Sequence, residues 1–462
     1  MSNKQSHCVK NGPTRELARW AAQVRSEDIP ADALSKAQEF FLDWVGAALA
    51  GSAEPLADIA YSVMEPVVPE LRTSTALKED FGKCSPLQAA FINGFNGHIL
   101  ELDDVHRGAV FHPATVVIPA ALSFGEKIHA SGKKVLEAIV IGYEVCIRVG
   151  QAAGGRHYEK WHTTGTCATF GAAAAVGRLL GLDELKMAWA LGNAGTQAAG
   201  LWQFLEDAAL TKPLHPGKAS FNGMLAALMA EKGFSGPTRI LEGKKGFLSA
   251  TSPDYDLTQI SDRLGEIYQI RDVSIKPYPS CRHSHAQIDA AREIARRPGF
   301  DASKVEKIRV LTYPTAIAVA GGKGEYPASS TEAKFNSPYC IAIALQTGSV
   351  RLPNFEQNVI ESNKHAEYLV NHTTIEIGDE FEERFPAAWG ARVEVRMEDG
   401  AVLDAEVKYP KGDPENPLTS TELYEKYADL AKVALDDTKT ALVGKRIMHL
   451  EQVSDISDLF EA

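Results

Sequence analysis

Cysteine is scarce in this chain and never closely paired. Six cysteines (Cys8, Cys84, Cys146, Cys167, Cys281 and Cys340) are scattered through 462 residues with no C-x-x-C pair. That spacing excludes a zinc knuckle and a disulfide framework, and it predicts free thiols in a reducing cytosol. No apolar run reaches eighteen residues, which excludes a conventional membrane helix. The opening MSNKQSHCVKNGPTRELARW lacks the apolar core of a secretory signal, so a soluble cytoplasmic protein is expected. Positive charge is also short: 48 Lys plus Arg against 60 Asp plus Glu leave a net charge of −12. A general polyanion-binding face needs the opposite balance, so nucleic acid is not an expected partner. No G-x-S-x-G elbow and no G-x-G-x-x-G fingerprint occurs, which disfavours an α/β-hydrolase or a Rossmann dehydrogenase. Gly321-Gly322-Lys323-Gly324 lacks the P-loop spacing and reads as a surface loop.

What remains is a globular composition, 45% hydrophobic and 23% charged, in a chain long enough for two or three domains. From Pro30 to about Gly236, long Ala-rich stretches alternate with short Gly, Asp or Pro breaks, which predicts helices. In LQAAFINGFNGHILELDD, Leu87, Phe91, Phe95, Ile99 and Leu102 recur at spacings of three and four and predict one apolar stripe. CATFGAAAAVGRLLGL and ALGNAGTQAAGLW are rich enough in Ala and Gly to be central helices. After about residue 270 the period changes to two, in VEKIRVLTY, TTIEIG and the hairpin ARVEVRM-EDG-AVLDAEVKY with Asp399-Gly400 at its turn. Helical patterns recur at SHAQIDAAREIARR and SPYCIAIALQ. The tail NPLTSTELYEKYADLAKVAL returns to helix, with caps at Thr419 and Ser420. The fold class expected is mainly α: a large all-helical domain from residues 1–271 and 413–462, and a smaller α+β lid domain from 272–412.

Four polar clusters could carry chemistry. ELDDVHRGAVFHP, residues 101–113, crowds Glu101, Asp103, Asp104, His106, Arg107 and His112. Adjacent carboxylates and imidazoles shift one another's proton affinities, which is how general acids and bases are tuned; a solvated helix end with internal ion pairs is the plainer alternative. KWHTTGTCATFG places His162 before a buried helix, where it is either a ligand group or only the helix start. LTKPLHPGKASFNG carries Lys212, His215 and Lys218, and IKPYPSCRHSH carries Lys276, Tyr278, Arg282, His283 and His285. Both are basic loops stiffened by Pro213 and Pro277, suited to a carboxylate ligand, although loop lysines are more often simply solvated. His283-Ser-His285 could begin a metal dyad, but no second H-x-H supplies further ligands, so no metal site is expected. Tyr339, in TEAKFNSPYC, begins an apolar helix and reads on its own as a core residue.

Taken in order, ELDDxH with HP, WHTTG, TKPLHPG, IKPYPSC and TEAKFNSPY resemble the MmgE/PrpD family over nearly the whole chain. The resemblance implies a large helical domain built from both chain ends, a smaller α+β lid, an active site between them and a homodimer. It also implies chemistry beside the carboxylates of a small di- or tricarboxylate with no metal or organic cofactor, as in methylcitrate dehydration, cis-aconitate decarboxylation or iminodisuccinate epimerisation. Asp103, Asp104, His112, His162, Lys212 and Lys276 fall on the family's catalytic positions. Tyr339 falls on a substrate-contacting position, with His106, Arg107 and Arg282 as further candidate substrate ligands. Glu101-Leu-Asp-Asp-Val-His replaces the D-x-D-D-T-W form of the family, losing a hydroxyl and a tryptophan. It is closer to decarboxylase-like and epimerase-like branches than to methylcitrate dehydratases.

The expected mechanism develops carbanion charge next to a carboxylate, clamped by Lys212 and Lys276. His112 or His162 exchanges the proton, Asp103 or Asp104 orients an imidazole, and a lysine or the second histidine acts as the acid. An α-proton isomerase, a metal hydrolase using His283 and His285, and an inactive helical scaffold are the alternatives.

Overall fold

The computed structural model describes residues 12–63, 72–78, 81–207 and 209–461. Cys8 lies outside them; the five cysteines within them are buried free thiols. Two compact units divide the chain: residues 1–99, 109–273 and 421–462 form the first, and residues 100–108 and 274–420 the second.

The first unit is helical, as its Ala-rich text requires. Its centre is the helix Ala168–Leu179, packed by Gly132–Ala153, Ala114–Lys127 and Leu214–Glu231. Everything from Ala168 to Gly177 is buried, because Ala and Gly let neighbouring helices approach on every side. One such approach is Gly171 against Gly142: a β-carbon at Gly171 would stand 2.6 Å from the Gly142 carbonyl and 2.8 Å from Cys146 Cβ. Helix ends follow their caps. Ser131 accepts from the Lys134 N–H at 3.4 Å, and Asp183 from the Lys186 N–H at 2.8 Å.

Two details differ from the sequence expectation. The helix Pro86–Ile99 is buried continuously from Ala89 to His98, not along one stripe. Phe91 and Phe95 stack on one side, while Asn93 satisfies both ends of its amide on the Leu77 N–H and the Thr75 carbonyl, at 2.8 Å each. Asn93, which interrupts the apolar stripe, thus sits inside fully paired. In ALGNAGTQAAGLW the helix Glu184–Gly195 stops early, and Gln197–Gly200 runs as loop. The tail helix Ser420–Ala431 packs on Ala31–Ser52, where Lys426 pairs with buried Asp43 and the Tyr427 backbone meets Gly46.

The second unit has a four-stranded sheet in the order Thr373–Ile377, Val305–Thr312, Ala391–Met397, Val402–Val407. The first pair is parallel and the other two antiparallel. The hairpin turns at Asp399-Gly400 as expected, with Gly400 at φ +87° and the Met397 N–H on the Ala401 carbonyl at 2.8 Å. Along Val305–Thr312 the alternation slips once: a register shift between Val305 and Lys307 turns Glu306 and Lys307 both outward, so Val305 and Ile308 both reach the core. The helices His285–Ala295 and Ser337–Thr347 contribute to that core, whereas the opposite face carries ion pairs such as Arg309–Glu376 at 2.8 Å and Arg392–Glu406 at 2.6 Å. The molecule is therefore mainly helical with a smaller α+β part.

Replacing Gly171 with alanine is expected to cost about 1–3 kcal/mol, since only backbone and a short side chain face the new methyl. Scanning calorimetry should show a lowered transition midpoint for G171A; an unchanged midpoint would mean the helices can separate freely there.

Candidate active site

In the helical unit, three separate chain segments deliver imidazoles to one place. His98 ends the helix Pro86–Ile99. His112 follows a bend at Val110, φ +49°, and its N–H donates to Thr164 Oγ1 at 3.2 Å before Pro113 opens the helix Ala114–Lys127. His162 precedes Thr163–Thr166, its own N–H donating to the Gly200 carbonyl at 3.0 Å. Ring centroids lie 4.8 Å apart for His98–His112, 5.7 Å for His98–His162 and 6.4 Å for His112–His162. A fourth imidazole, His215, comes from the first turn of Leu214–Glu231 and places its Nδ1 2.9 Å from Nδ1 of His162. Trp202 and Phe204 wall the His162 ring at centroid distances of 4.8 and 6.3 Å.

Burial sets the electrostatics of this group. His162 is 1% exposed, and desolvation, followed by the positive charge of Lys212 and then the neighbouring imidazoles, holds its pKa well below the usual value. Desolvation, then Lys218 and the other nearby positive groups, lowers His215 to about 4. At neutral pH these are uncharged rings able to accept or donate. Lys212, the lysine that acts on both rings, is 9% exposed just ahead of Pro213. Lys218 donates to the Ala199 carbonyl at 2.6 Å, and burial pushes its ammonium down to about 8.

The facing nitrogens of His98, His112 and His162 all lie within 4.8 Å of one another, the group among the described residues that could hold a metal. A tetrahedral ion with bonds of about 2.0–2.1 Å wants donors about 3.4 Å apart. Moreover, Lys212 places a positive charge close enough to depress His162. The set suits proton chemistry and an anionic ligand better than a cation.

The second unit holds the remaining predicted residues. Asp103 and Asp104 are fully buried in the stretch 100–108, and Glu101, at φ +60°, pairs with Lys276 at 3.2 Å, both side chains buried. His106 is buried too; desolvation, with a smaller contribution from Arg107, lowers its pKa to about 3. Asp413, which the sequence reading passed over, is 0% exposed and lies between both candidate arginines. It accepts from Arg107 at 3.1 Å, from Ser274 at 2.6 Å and from Arg282 at closer range. Arg107 also pairs with Glu415 at 2.7 Å. Arg282 reaches His285 Nδ1 at 2.8 Å and the Lys411 carbonyl at 3.0 Å. Both guanidiniums thus fasten backbone segments.

Tyr339 lies in the hydrophobic core of this unit, its hydroxyl donating to the Asn354 carbonyl, and burial raises its pKa. His283 Nδ1 meets the Tyr313 hydroxyl at 2.7 Å, and its ring stacks on Trp389 at 4.2 Å. The H-x-H pair therefore faces a phenol and a guanidinium rather than a common ion.

Ordering of the motifs along the chain and the histidine–lysine group both point to one family, and the comparisons decide it. The MmgE/PrpD N-terminal domain matches residues 15–260 and the MmgE/PrpD C-terminal domain residues 278–450. The chain belongs to the MmgE/PrpD family. A cis-aconitate decarboxylase-like protein of Aspergillus oryzae is 30% identical to it, with 96% of each chain covered. A cis-aconitate decarboxylase of Aspergillus terreus is 27% identical, covering 98% of this chain and 96% of its own. The Homo sapiens cis-aconitate decarboxylase is 27% identical over 92% and 89%. These similarities support a lyase at the level of the family. Among the described residues of this MmgE/PrpD chain, no helix is long and apolar enough to cross a membrane.

Sequence reasoning picked out His112, His162 and Lys212 but not His98, and it left His215 outside the catalytic set. The available signal for His98 was an imidazole at the end of an otherwise apolar helix. For Asp413 there was little signal, because its partners lie about 130 and 300 positions away in sequence.

Two outcomes follow. Removing the Asp413 carboxylate leaves two guanidiniums without their buried counter-charge, so D413A should destabilise the second unit by about 3–5 kcal/mol, measurable by denaturant unfolding. Buried imidazoles with folded pKa values below their unfolded value near 6.5 bind fewer protons than the unfolded chain, so their contribution is complete above about pH 6.5 and lost as pH falls. With His106 lowered to about 3 and His215 to about 4, stability should drop through the window from about 6.5 to 4 and below. An H106Q variant should lose less stability on acidification than the parent; parallel curves would show that His106 protonates freely in the folded protein.

Proposed function

We propose that this MmgE/PrpD protein is a carboxy-lyase for a small unsaturated tricarboxylate of the cis-aconitate type, working without metal or organic cofactor. The observation that carries this reading is the group of buried, uncharged imidazoles beside the ammonium of Lys212. Full-length similarity to cis-aconitate decarboxylases supports the choice of lyase within the family.

Decarboxylation breaks a carbon–carbon bond and leaves its electron pair on the substrate, where a conjugated carboxylate spreads the charge. The carbon then takes one proton, and carbon dioxide departs. We propose that Lys212 binds a carboxylate and stabilises charge moving onto it, an effect stronger in a buried setting than in water. An uncharged imidazole bearing one N–H can pass that proton to the far more basic carbanion; the ring is left anionic beside Lys212 and regains a proton from solvent. His162 and His112 are proposed for that role. Lys276, matched to the family's second lysine position, is proposed as a further carboxylate clamp. The buried Asp103 and Asp104 are proposed to fix the conformation of the stretch that carries His106. For Arg107 and Arg282 we propose that holding Asp413 takes precedence over touching substrate. A cytoplasmic homodimer belongs to the same reading, on the family resemblance, and light scattering at twice the chain mass is the expected result.

The test is product analysis by NMR in deuterated water with cis-aconitate, citrate and methylcitrate. Release of carbon dioxide with one deuterium retained in the product is expected from cis-aconitate. Alanine at His112, His162 or Lys212 should lower turnover by about 10²–10⁴-fold while leaving the fold intact, whereas K276A should lower turnover and also stability, because it strands buried Glu101. Deuterium exchange without carbon dioxide would favour an epimerase instead. Failure of every di- and tricarboxylate to bind in calorimetry would refute the reading.

A further inference from the structure

His162 and His215 meet through the same ring position, Nδ1 to Nδ1, at 2.9 Å in a buried setting. Two protons cannot fit between nitrogens that close, and two lone pairs facing each other there would repel. A hydrogen bond at this distance therefore holds a single proton, donated by one ring and accepted by the other. When both rings are uncharged, only two arrangements remain. If His215 donates, the Nδ1 of His162 is the acceptor and its Nε2 carries hydrogen. If His162 donates, its Nε2 is bare and presents a lone pair. The partner thus decides whether the outer nitrogen of His162 is an acid or a base.

From this geometry we infer that His215 is the positioning residue of His162, selecting its tautomer and the aim of its ring. The inference rests on the proposed role of His162 as a proton carrier. Under a decarboxylase reading the working arrangement is the one in which His215 donates, because the carbon must receive a proton.

The surroundings hold the pair in place. The His215 N–H donates to the Lys212 carbonyl at 3.2 Å, fixing the first turn of its helix next to the lysine. Gly200 and Gly165 bring bare backbone against the ring: a β-carbon at Gly200 would stand 3.2 Å from His215 Nδ1, and one at Gly165 3.0 Å from His215 Cβ. Trp202 and Phe204 close the aromatic side. The titratable groups acting on the pair are His98, His112, Lys212 and Lys218, none of them acidic. With no carboxylate among them, the neighbour able to fix the His162 tautomer at Nδ1 is His215.

Full-length protein with ¹⁵N-labelled histidines tests this without any substrate. His162 is assigned by the signals lost in H162Q, and its two ring nitrogens then report the tautomer. A single dominant tautomer is expected in the parent and in H215N, whose amide can still donate or accept at that position. In H215F the His162 signals should move towards an average of both tautomers. Identical His162 signals in the parent and H215F would overturn the inference. Should H215F fail to fold, H215Q replaces it, because its amide extends past the Nδ1 position.

Kinetics on cis-aconitate give the second readout. H215F should lose roughly 10- to 100-fold in kcat, the scale on which orienting partners of functional imidazoles act. KM should stay within about threefold, and H215N should recover part of the loss. Equal losses in H215F and H215N, with KM raised in both, would mark His215 as merely structural. If no polycarboxylate is turned over at all, the decarboxylase reading fails, and the spectra still decide whether His215 sets the His162 tautomer.

Discussion

The helical unit is organised around the cost of taking imidazoles out of water. His98, His162 and His215 are all buried, and His112 is half-buried beside them. Rings this close cannot all carry charge, and burial removes the solvent that would otherwise support even one. His162 and His215, whose proton affinity burial lowers, are uncharged rings at neutral pH that hydrogen-bond to each other and pack against Trp202 and Phe204. That constraint fits the way His162 and His215 are held, at the start of Thr163–Thr166 and in the first turn of Leu214–Glu231 beside close-packed Ala- and Gly-rich helices: any looseness would admit water and return these two rings to ordinary titration. It also explains why the positive charge comes from lysines, which can hold a proton where an imidazole does not.

The second unit solves a different problem with different chemistry. Its buried groups are charged, so they are paired: Lys276 with Glu101, and two guanidiniums with Asp413. Such pairs contribute little net stability compared with apolar packing, but each member penalises any arrangement that strands the other. Their effect is conformational definition of the stretch 100–108. Placing arginines that resemble ligand groups into this framework changes how they are to be regarded. A guanidinium already bound to a carboxylate, an imidazole and carbonyls has few donors left for a substrate.

Much of the architecture was legible in the sequence because it rests on period and composition. Ala-rich text became helices, alternating text became strands, and Asp399-Gly400 became a turn. The outright exceptions have local causes. The extra residue near Glu306 shifts register without disturbing the hydrophobic count, and Asn93 of Pro86–Ile99 is buried because its amide finds backbone partners that no pattern announces. Family motifs singled out His112, His162 and Lys212, which the fold brings to one neighbourhood or its immediate charge environment. The same motifs could not show that His215 faces His162 or that Asp413 sits between Arg107 and Arg282. Pairings across long stretches of chain leave no spacing to read.

The chain's route between its units carries one more implication. Residues 100–108 leave the helical unit, join the second, and return, while Thr421–Ala462 closes the helical unit from the far end of the chain. Neither unit is a continuous segment. A fragment starting near residue 278 would lack Glu101 and Arg107, together with Lys276, and a fragment ending near residue 273 would lack the helix whose Lys426 neutralises buried Asp43. On the ribosome the helical body therefore cannot complete its packing until the segment carrying Lys426 has followed the whole second unit out, however early its first helices emerge.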